Sequence, residues 1–131
     1  MRKLKGWFIV LLISLSLFGM TACSDGGANS YEQITPEQAK TIMDTDKDYL
    51  IIDARTTEEF AEGHIADAIL IPEYEIAARA EKELPDKDAL VLVYCRSGRR
   101  SKIASEELVK LGYTNVKEFG GIIDWPYEIV K

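Results

Sequence analysis

This 131-residue chain is poor in thiols, imidazoles and positive charge. It has two cysteines, Cys23 and Cys95, and one histidine, His64. Two thiols can make at most one disulfide, which excludes a disulfide-stapled scaffold. A lone histidine without neighbours of ligand type makes no metal site, and neither metal nor any other cofactor is expected. Sixteen Lys and Arg stand against 22 Asp and Glu, a formal charge of −6 at pH 7. Contacts to nucleic-acid phosphates need a basic surface, so nucleic acid is not expected as a partner. Long apolar runs are scarce too. One, Trp7 to Phe18, is broken only by Ser14 and Ser16 and is short for a bilayer-spanning helix. No repeat, low-complexity segment or second domain is visible, and the length suits one domain.

What is present begins with the amino terminus. Arg2, Lys3 and Lys5 precede that apolar run, and small residues follow it, the pattern of an export signal. Met20-Thr21-Ala22-Cys23 resembles a bacterial lipoprotein box, with Met20 where Leu is usual. That resemblance implies removal of residues 1–22 and lipidation of Cys23. The protein would then sit in the cell envelope, anchored to the outer face of a bacterial membrane, since two acyl chains hold firmly. An uncleaved anchor and an ordinary secreted protein are the alternatives. Losing Arg2, Lys3 and Lys5 shifts the formal charge from −6 to −9. Residues 23–30, ending in Ser24–Ser30 (SDGGANS), read as a flexible tether, and a domain is expected over residues 31–131.

The stretch that organises this domain is Leu90-Val91-Leu92-Val93-Tyr94-Cys95, followed by Arg96-Ser97-Gly98-Arg99-Arg100 and a helical pattern from about Ser101. The apolar run is short, β-branched and without alternation, which predicts a strand buried on both faces of a parallel sheet. In such sheets ligands bind at the carboxyl end of a strand, where the next helix begins, and Cys95 stands there. Three arginines, the unpartnered first amides of a helix and its dipole all bring positive potential to that point. Gly98 takes positive φ freely and allows the loop amides to turn inwards. These features favour a Cys95 thiolate beside a small anion, the combination needed for covalent catalysis. An inert structural cysteine is the alternative, and the three arginines argue against it. Cysteine-dependent phosphatases have a similar layout, but with five residues between Cys and Arg. Here Arg100 comes one position too early, Ser101 occupies the sixth place, and Tyr94 replaces the usual His.

Elsewhere strand and helix patterns alternate. Thr35-Pro36-Glu37-Gln38 is a capping box with Pro at the first helical position, opening a helix to about Met43. Tyr49–Ile52 reads as a buried strand ending in Asp53-Ala54-Arg55. Thr56 and Glu59 frame a short helix closed by Gly63-His64-Ile65, Ala68–Ile71 a strand stopped by Pro72, and Glu73–Leu84 a helix. Ser101–Lys110 puts Ile103, Ala104 and Leu108 on one face, with Gly112 as its C-terminal cap. Val116–Phe119 reads as a last strand, and Gly120-Gly121 as leading into a terminal helix around Trp125. The alternation predicts a three-layer α/β fold with a mostly parallel central sheet.

Three fragments, in order, carry a resemblance. The loop Cys95-Arg96-Ser97-Gly98-Arg99-Arg100-Ser101 resembles the rhodanese-like Cys-x-x-Gly-x-x-Ser loop. Asp53-Ala54-Arg55, Glu59-Phe60 and Gly63-His64-Ile65 resemble the family's first signature, and Phe119-Gly120-Gly121-Ile122 with Trp125 its ending. Asp67-Ala68 departs from the usual Gly-Ala, and Leu70 stands where Asn is frequent. The resemblance, covering residues 31–131, implies a rhodanese-like sulfurtransferase: Cys95 takes sulfane sulfur from an anionic donor such as thiosulfate and passes it as a persulfide to cyanide or a thiol. By that implication residues 96–101 cradle the sulfur, with Arg96 and Arg99 attracting the donor and Arg100 facing either substrate or an inward carboxylate. Asp53, Arg55 and Glu59 would form a structural ion-pair group nearby. His64 is expected to hydrogen-bond near its turn, Phe119 and Trp125 to be core, and the chain to be a monomer. If Cys23 carries lipid, Cys95 is the only free thiol and its sulfur must leave to an external acceptor; a Cys23–Cys95 disulfide would abolish both readings. A non-catalytic persulfide-binding or sensing module, and a phosphatase or arsenate reductase, are the competing readings.

Overall fold

The computed structural model describes residues 30–131. Cys23 and the expected signal and most of the tether lie outside the described residues. Five strands, β1 (Glu32–Gln33), β2 (Tyr49–Asp53), β3 (Ile69–Leu70), β4 (Leu90–Cys95) and β5 (Val116–Gly121), form one sheet in the order β1-β5-β4-β2-β3. Every pairing within it is parallel. Helices α1 (Pro36–Thr45), α2 (Thr57–Glu62), α3 (Ile76–Glu83) and α4 (Arg99–Lys110) complete a three-layer α/β architecture.

The sheet is buried on both sides, and β4 shows why its sequence does not alternate. Val91, Val93 and Cys95 belong to one apolar cluster, with Ala80 of α3 and Ala104 and Leu108 of α4. Leu92 and Tyr94 belong to the other, with Ala39 of α1, Phe119 and Trp125. A strand that faces a core on each side has no polar face to write into its sequence. After β2 the chain turns to β3 on one flank, and after β4 to β5 on the other. The carboxyl ends of β2 and β4 therefore border the crevice where the topology switches, the usual ligand position of such sheets.

Local signals produced local structure. Thr35 and Thr56 both close full capping boxes, with Gln38 and Glu59. Gly112, at φ 98, ends α4: its N–H donates to Val109 O, and the Tyr113 N–H to Leu108 O. That is the paired bonding of a Schellman end. Asp67 is the one described non-glycine residue with positive φ, at 66, a conformation that Gly would take without strain.

Three expectations need correction, and one strand was not foreseen. α4 starts at Arg99 rather than near Ser101, because Gly98 at φ 101 already serves as its N-cap. Glu73–Glu75 is a 3₁₀ turn ahead of α3, not part of one continuous helix. No terminal helix forms around Trp125. One 3₁₀ turn, Ile122–Asp124, is followed by extended Trp125, since Pro126 excludes the helical region for the residue before it. The tail instead pairs with the loop after α2, Val130 against His64. Finally β1, two exposed residues, carried no apolar signal; it is held by pairing with β5 and by the Glu32–Lys117 ion pair.

Candidate active site

Cys95 ends the central strand with 1% of its surface exposed. Its Sγ accepts a hydrogen bond from the Gly98 N–H at 3.0 Å and lies 3.4 Å from Ser101 Oγ. The left-handed φ of Gly98 is what folds the loop back so that its own amide reaches the sulfur three residues earlier. The next amides, Arg99 to Ser101, are the first of α4 and have no acceptor within the helix, so positive potential opens at this end. The first turn of α4 contains Arg99 and Arg100 and no acid, the arrangement the helix dipole disfavours. Such a cost is expected where the helix end receives an anion.

A second loop is needed to hold this one in place. Gly121 lies opposite Cys95 across β4 and β5, and a Cβ on it would sit 1.9 Å from Arg96 O. Only glycine admits that approach, and the Ile123 N–H completes it by donating to Arg96 O at 3.2 Å. The register of β5 slips between Val93 and Cys95: one residue of β4 faces two of β5, a bulge at which Gly120 adopts φ 90. The Gly120-Gly121 pair is thus the floor on which the cysteine loop rests.

The candidate residues separate into three environments. Arg96, Ser97 and Arg99 are exposed at the rim. Arg96 borders a shallow depression of about 410 Å³ with Arg55, Glu59, Glu62, Ile122 and Ile123. Arg100 turns the other way and meets an inward carboxylate, with Nη1 2.6 Å from Glu59 Oε1 and Nη2 2.9 Å from Oε2. Ser101 is fully buried, its hydroxyl directed at Sγ and at the floor. The three guanidinium groups therefore do not converge on the sulfur as the sequence suggested: two stand in water, and one is neutralised.

The group expected of Asp53, Arg55 and Glu59 is divided in the same way. Asp53 and Arg55 form one buried pair, with Arg55 Nη2 at 2.7 Å from Asp53 Oδ2 and also donating to Gly63 O. Tyr94 closes it, donating to Asp53 Oδ2 at 2.7 Å and accepting from the Ile65 N–H. Burial, then the Asp53 charge, pushes the Tyr94 hydroxyl well above its ordinary value. Glu59 belongs with Arg100. The Arg100 hydrogen bonds hold its carboxyl down at about 2, against a partial desolvation that acts the other way. His64 stacks on Phe60 and its Nδ1 lies 3.0 Å from Phe60 O, while Phe119 and Trp125 pack in the core. A larger depression of about 590 Å³ lies between α1 and the tail and is lined by no residue of the cysteine loop.

One residue of the site escaped the sequence reading. Glu118 of β5 is 2% exposed, and its Oε1 accepts from Ser101 Oγ at 2.6 Å and from the Gly120 N–H at 2.8 Å. The available signal was an acid in the run Val116-Lys117-Glu118-Phe119, with only Phe119 between it and the two glycines.

Comparison with known proteins agrees with this geometry. A family model described as a rhodanese-like domain matches residues 35–126. The chain is 42% identical over 80 residues to the thiosulfate sulfurtransferase PspE of Escherichia coli, covering 61% of this chain and 77% of that one. A sulfurtransferase of Allochromatium vinosum is 43% identical over 88 residues, covering 66% and 79%. A solved structure described as a rhodanese with anions from E. coli superposes with a TM-score of 0.60 at 40% identity, covering 63% of this chain and 98% of that chain.

Proposed function

The chain belongs to the rhodanese-like family, and from that premise we propose that it is a thiosulfate sulfurtransferase-like enzyme whose Cys95 carries sulfur as a persulfide. The observation that carries the reading is the Gly98 N–H on Sγ at 3.0 Å, at the carboxyl end of the central strand and the start of α4. Only Ser97 and the buried Gly98 separate Arg96 from the helix, so the cradle is small. It suits one added sulfur better than a tetrahedral phosphate, which weighs against a phosphatase or arsenate reductase.

Two displacements complete the cycle. The Cys95 sulfur, giving up its proton, attacks the outer sulfur of thiosulfate, the S–S bond of the donor breaks, and sulfite leaves with its electron pair. The new terminal sulfur carries one negative charge, faced by preorganised amide dipoles as in an oxyanion hole. Cyanide or a thiolate then attacks that sulfur and regenerates Cys95, a ping-pong sequence. Arg96 and Arg99, exposed at the rim, draw the anionic donor in, and Arg100 stays with Glu59 and braces the loop against α2.

Intact mass after thiosulfate tests this. The wild-type chain should gain one sulfur atom and lose it to cyanide, and Cys95→Ser should do neither and have no turnover. Turnover by the serine variant overturns the mechanism. A sulfur that stays in place when acceptors are added favours a persulfide-binding module instead. We further propose that Cys23 carries the lipid anchor at the cell envelope, supported by the Met20–Cys23 pattern and the polar run after it. Among the described residues no helix is long and apolar enough to cross a membrane. Fatty-acid labelling that persists after Cys23→Ala would refute it.

A further inference from the structure

Glu118 has no role in the mechanism above, yet it reaches the reacting sulfur through one side chain. Ser101 Oγ is surrounded by Glu118 Oε1 at 2.6 Å, Gly98 O at 3.0 Å, Gly120 O at 3.3 Å and Cys95 Sγ at 3.4 Å. A serine hydroxyl has a single hydrogen. The short contact to Glu118 claims it, so Oγ turns lone pairs towards Sγ. Lone pairs accept an S–H and repel a bare anion. Two anions this close, with Glu118 2% and Cys95 1% exposed, also repel each other with little water between them. The pocket therefore has room for one negative charge, on either the carboxylate or the sulfur.

Resting on the sulfurtransferase reading, we propose that Glu118 is a positioning residue that shares one proton with Cys95 through the Ser101 hydroxyl. In the empty enzyme Cys95 is a thiol donating to Ser101, and Ser101 donates to the Glu118 carboxylate. As Sγ bonds to the donor sulfur, its proton passes to Ser101 Oγ while the Ser101 proton passes to Glu118. The loaded enzyme holds a persulfide anion and a neutral Glu118. When the acceptor takes the sulfur, the proton returns along the same path to Sγ. Charge and protons balance in both halves: one negative charge stays in the pocket, and no proton is lost to solvent.

Few other charges disturb the pair. Lys102 of α4 and Asp124 of the 3₁₀ turn share a small depression with Glu118, the Tyr31 hydroxyl feels both Glu106 and Glu118, and Arg100, though bound to Glu59, still interacts electrostatically with Cys95. Glu118 does have a structural task, since its Oε1 receives the amide of the bulge residue Gly120. Glu118→Gln retains an oxygen for that amide and for Ser101 and removes both the negative charge and the ability to take a proton.

The test is the pH profile of Cys95 alkylation by iodoacetamide in the full chain. Without the competing carboxylate, Glu118→Gln should ionise its thiol at lower pH and react about tenfold faster near neutrality. An unchanged or slower profile in a folded variant overturns the proposal and leaves Glu118 as a bulge support. If the variant does not fold, the wild type decides. Its infrared spectrum should gain the carbonyl band of one protonated carboxyl when thiosulfate loads the enzyme and lose it with cyanide. Loading without that band also overturns the proposal. If no sulfur loads at all, the sulfurtransferase reading fails, while the alkylation comparison still reports on the Glu118–Cys95 coupling.

Discussion

Two loops leave adjacent parallel strands at the same end of the sheet, and they treat charge in opposite ways. At the end of β2, Asp53 and Arg55 are almost wholly buried and their groups are matched: Arg55 to both Asp53 oxygens and Gly63 O, and Asp53 also to Tyr94. At the end of β4, Arg96 and Arg99 stand in water, basic residues begin a helix, and the amides of its first turn have no intrahelical acceptor. Position at a topological switch does not by itself distinguish scaffold from reaction site. Saturation does: a satisfied network fixes geometry, and unsatisfied potential is left for a ligand.

The largest effect expected from this contrast is at the satisfied loop. Asp53→Ala leaves the Arg55 guanidinium, 4% exposed, without its carboxylate. Breaking a buried pair from one side costs about 3–5 kcal/mol. Urea unfolding should show that loss, with any fall in activity following the folded fraction. A stable variant with lost turnover would reverse the assignment and move Asp53 into the reaction.

How much of this division the sequence disclosed depended on distance along the chain. The capping boxes of Thr35 with Gln38 and Thr56 with Glu59 span three residues, and the end of α4 at Gly112 depends on its own last turn, so each was legible. The buried run of β4 was legible because its burial on both faces removes alternation. Cys95 and its loop were legible for the same reason, the residues being contiguous. The Arg100–Glu59 pair joins residues 41 apart, and the Ser101–Glu118 contact residues 17 apart. No local period encodes either. The β1 strand and the tail against His64 were hidden likewise, since both exist only through pairing with distant segments.

At the unsatisfied loop the expected effect is smaller and of another kind. Arg96 is exposed, and its backbone carbonyl, not its side chain, locks the loop to Gly121 and Ile123. Arg96→Ala should leave stability within about 0.5 kcal/mol of wild type. It should raise the thiosulfate KM roughly three- to tenfold with kcat little changed, and the difference should shrink as salt screens the attraction. Steady-state kinetics at two ionic strengths would show it. A fall in kcat at unchanged KM would mean that Arg96 acts on the bound sulfur and not on the approaching donor.

Between the two loops lies the Glu59–Arg100 pair, one quarter exposed on each side, which ties α2 to the first turn of α4. Its effect should be the smallest, and pH isolates it. The Arg100 hydrogen bonds lower the folded-state value of Glu59 to about 2 from an ordinary 4.5. A depressed carboxyl stabilises the fold fully above its unfolded value and loses that contribution as pH falls towards the folded value. The window is therefore from about pH 5 down to about pH 2, and stability should fall as the solution is acidified through it. Partial exposure limits the contribution to about 1–2 kcal/mol. Glu59→Gln should thus be less stable than wild type at pH 7, and the two unfolding curves should converge near pH 2. Curves that stay parallel would assign the cost to the lost capping contacts with Thr56, and the brace between the loops would be a matter of shape and not of charge.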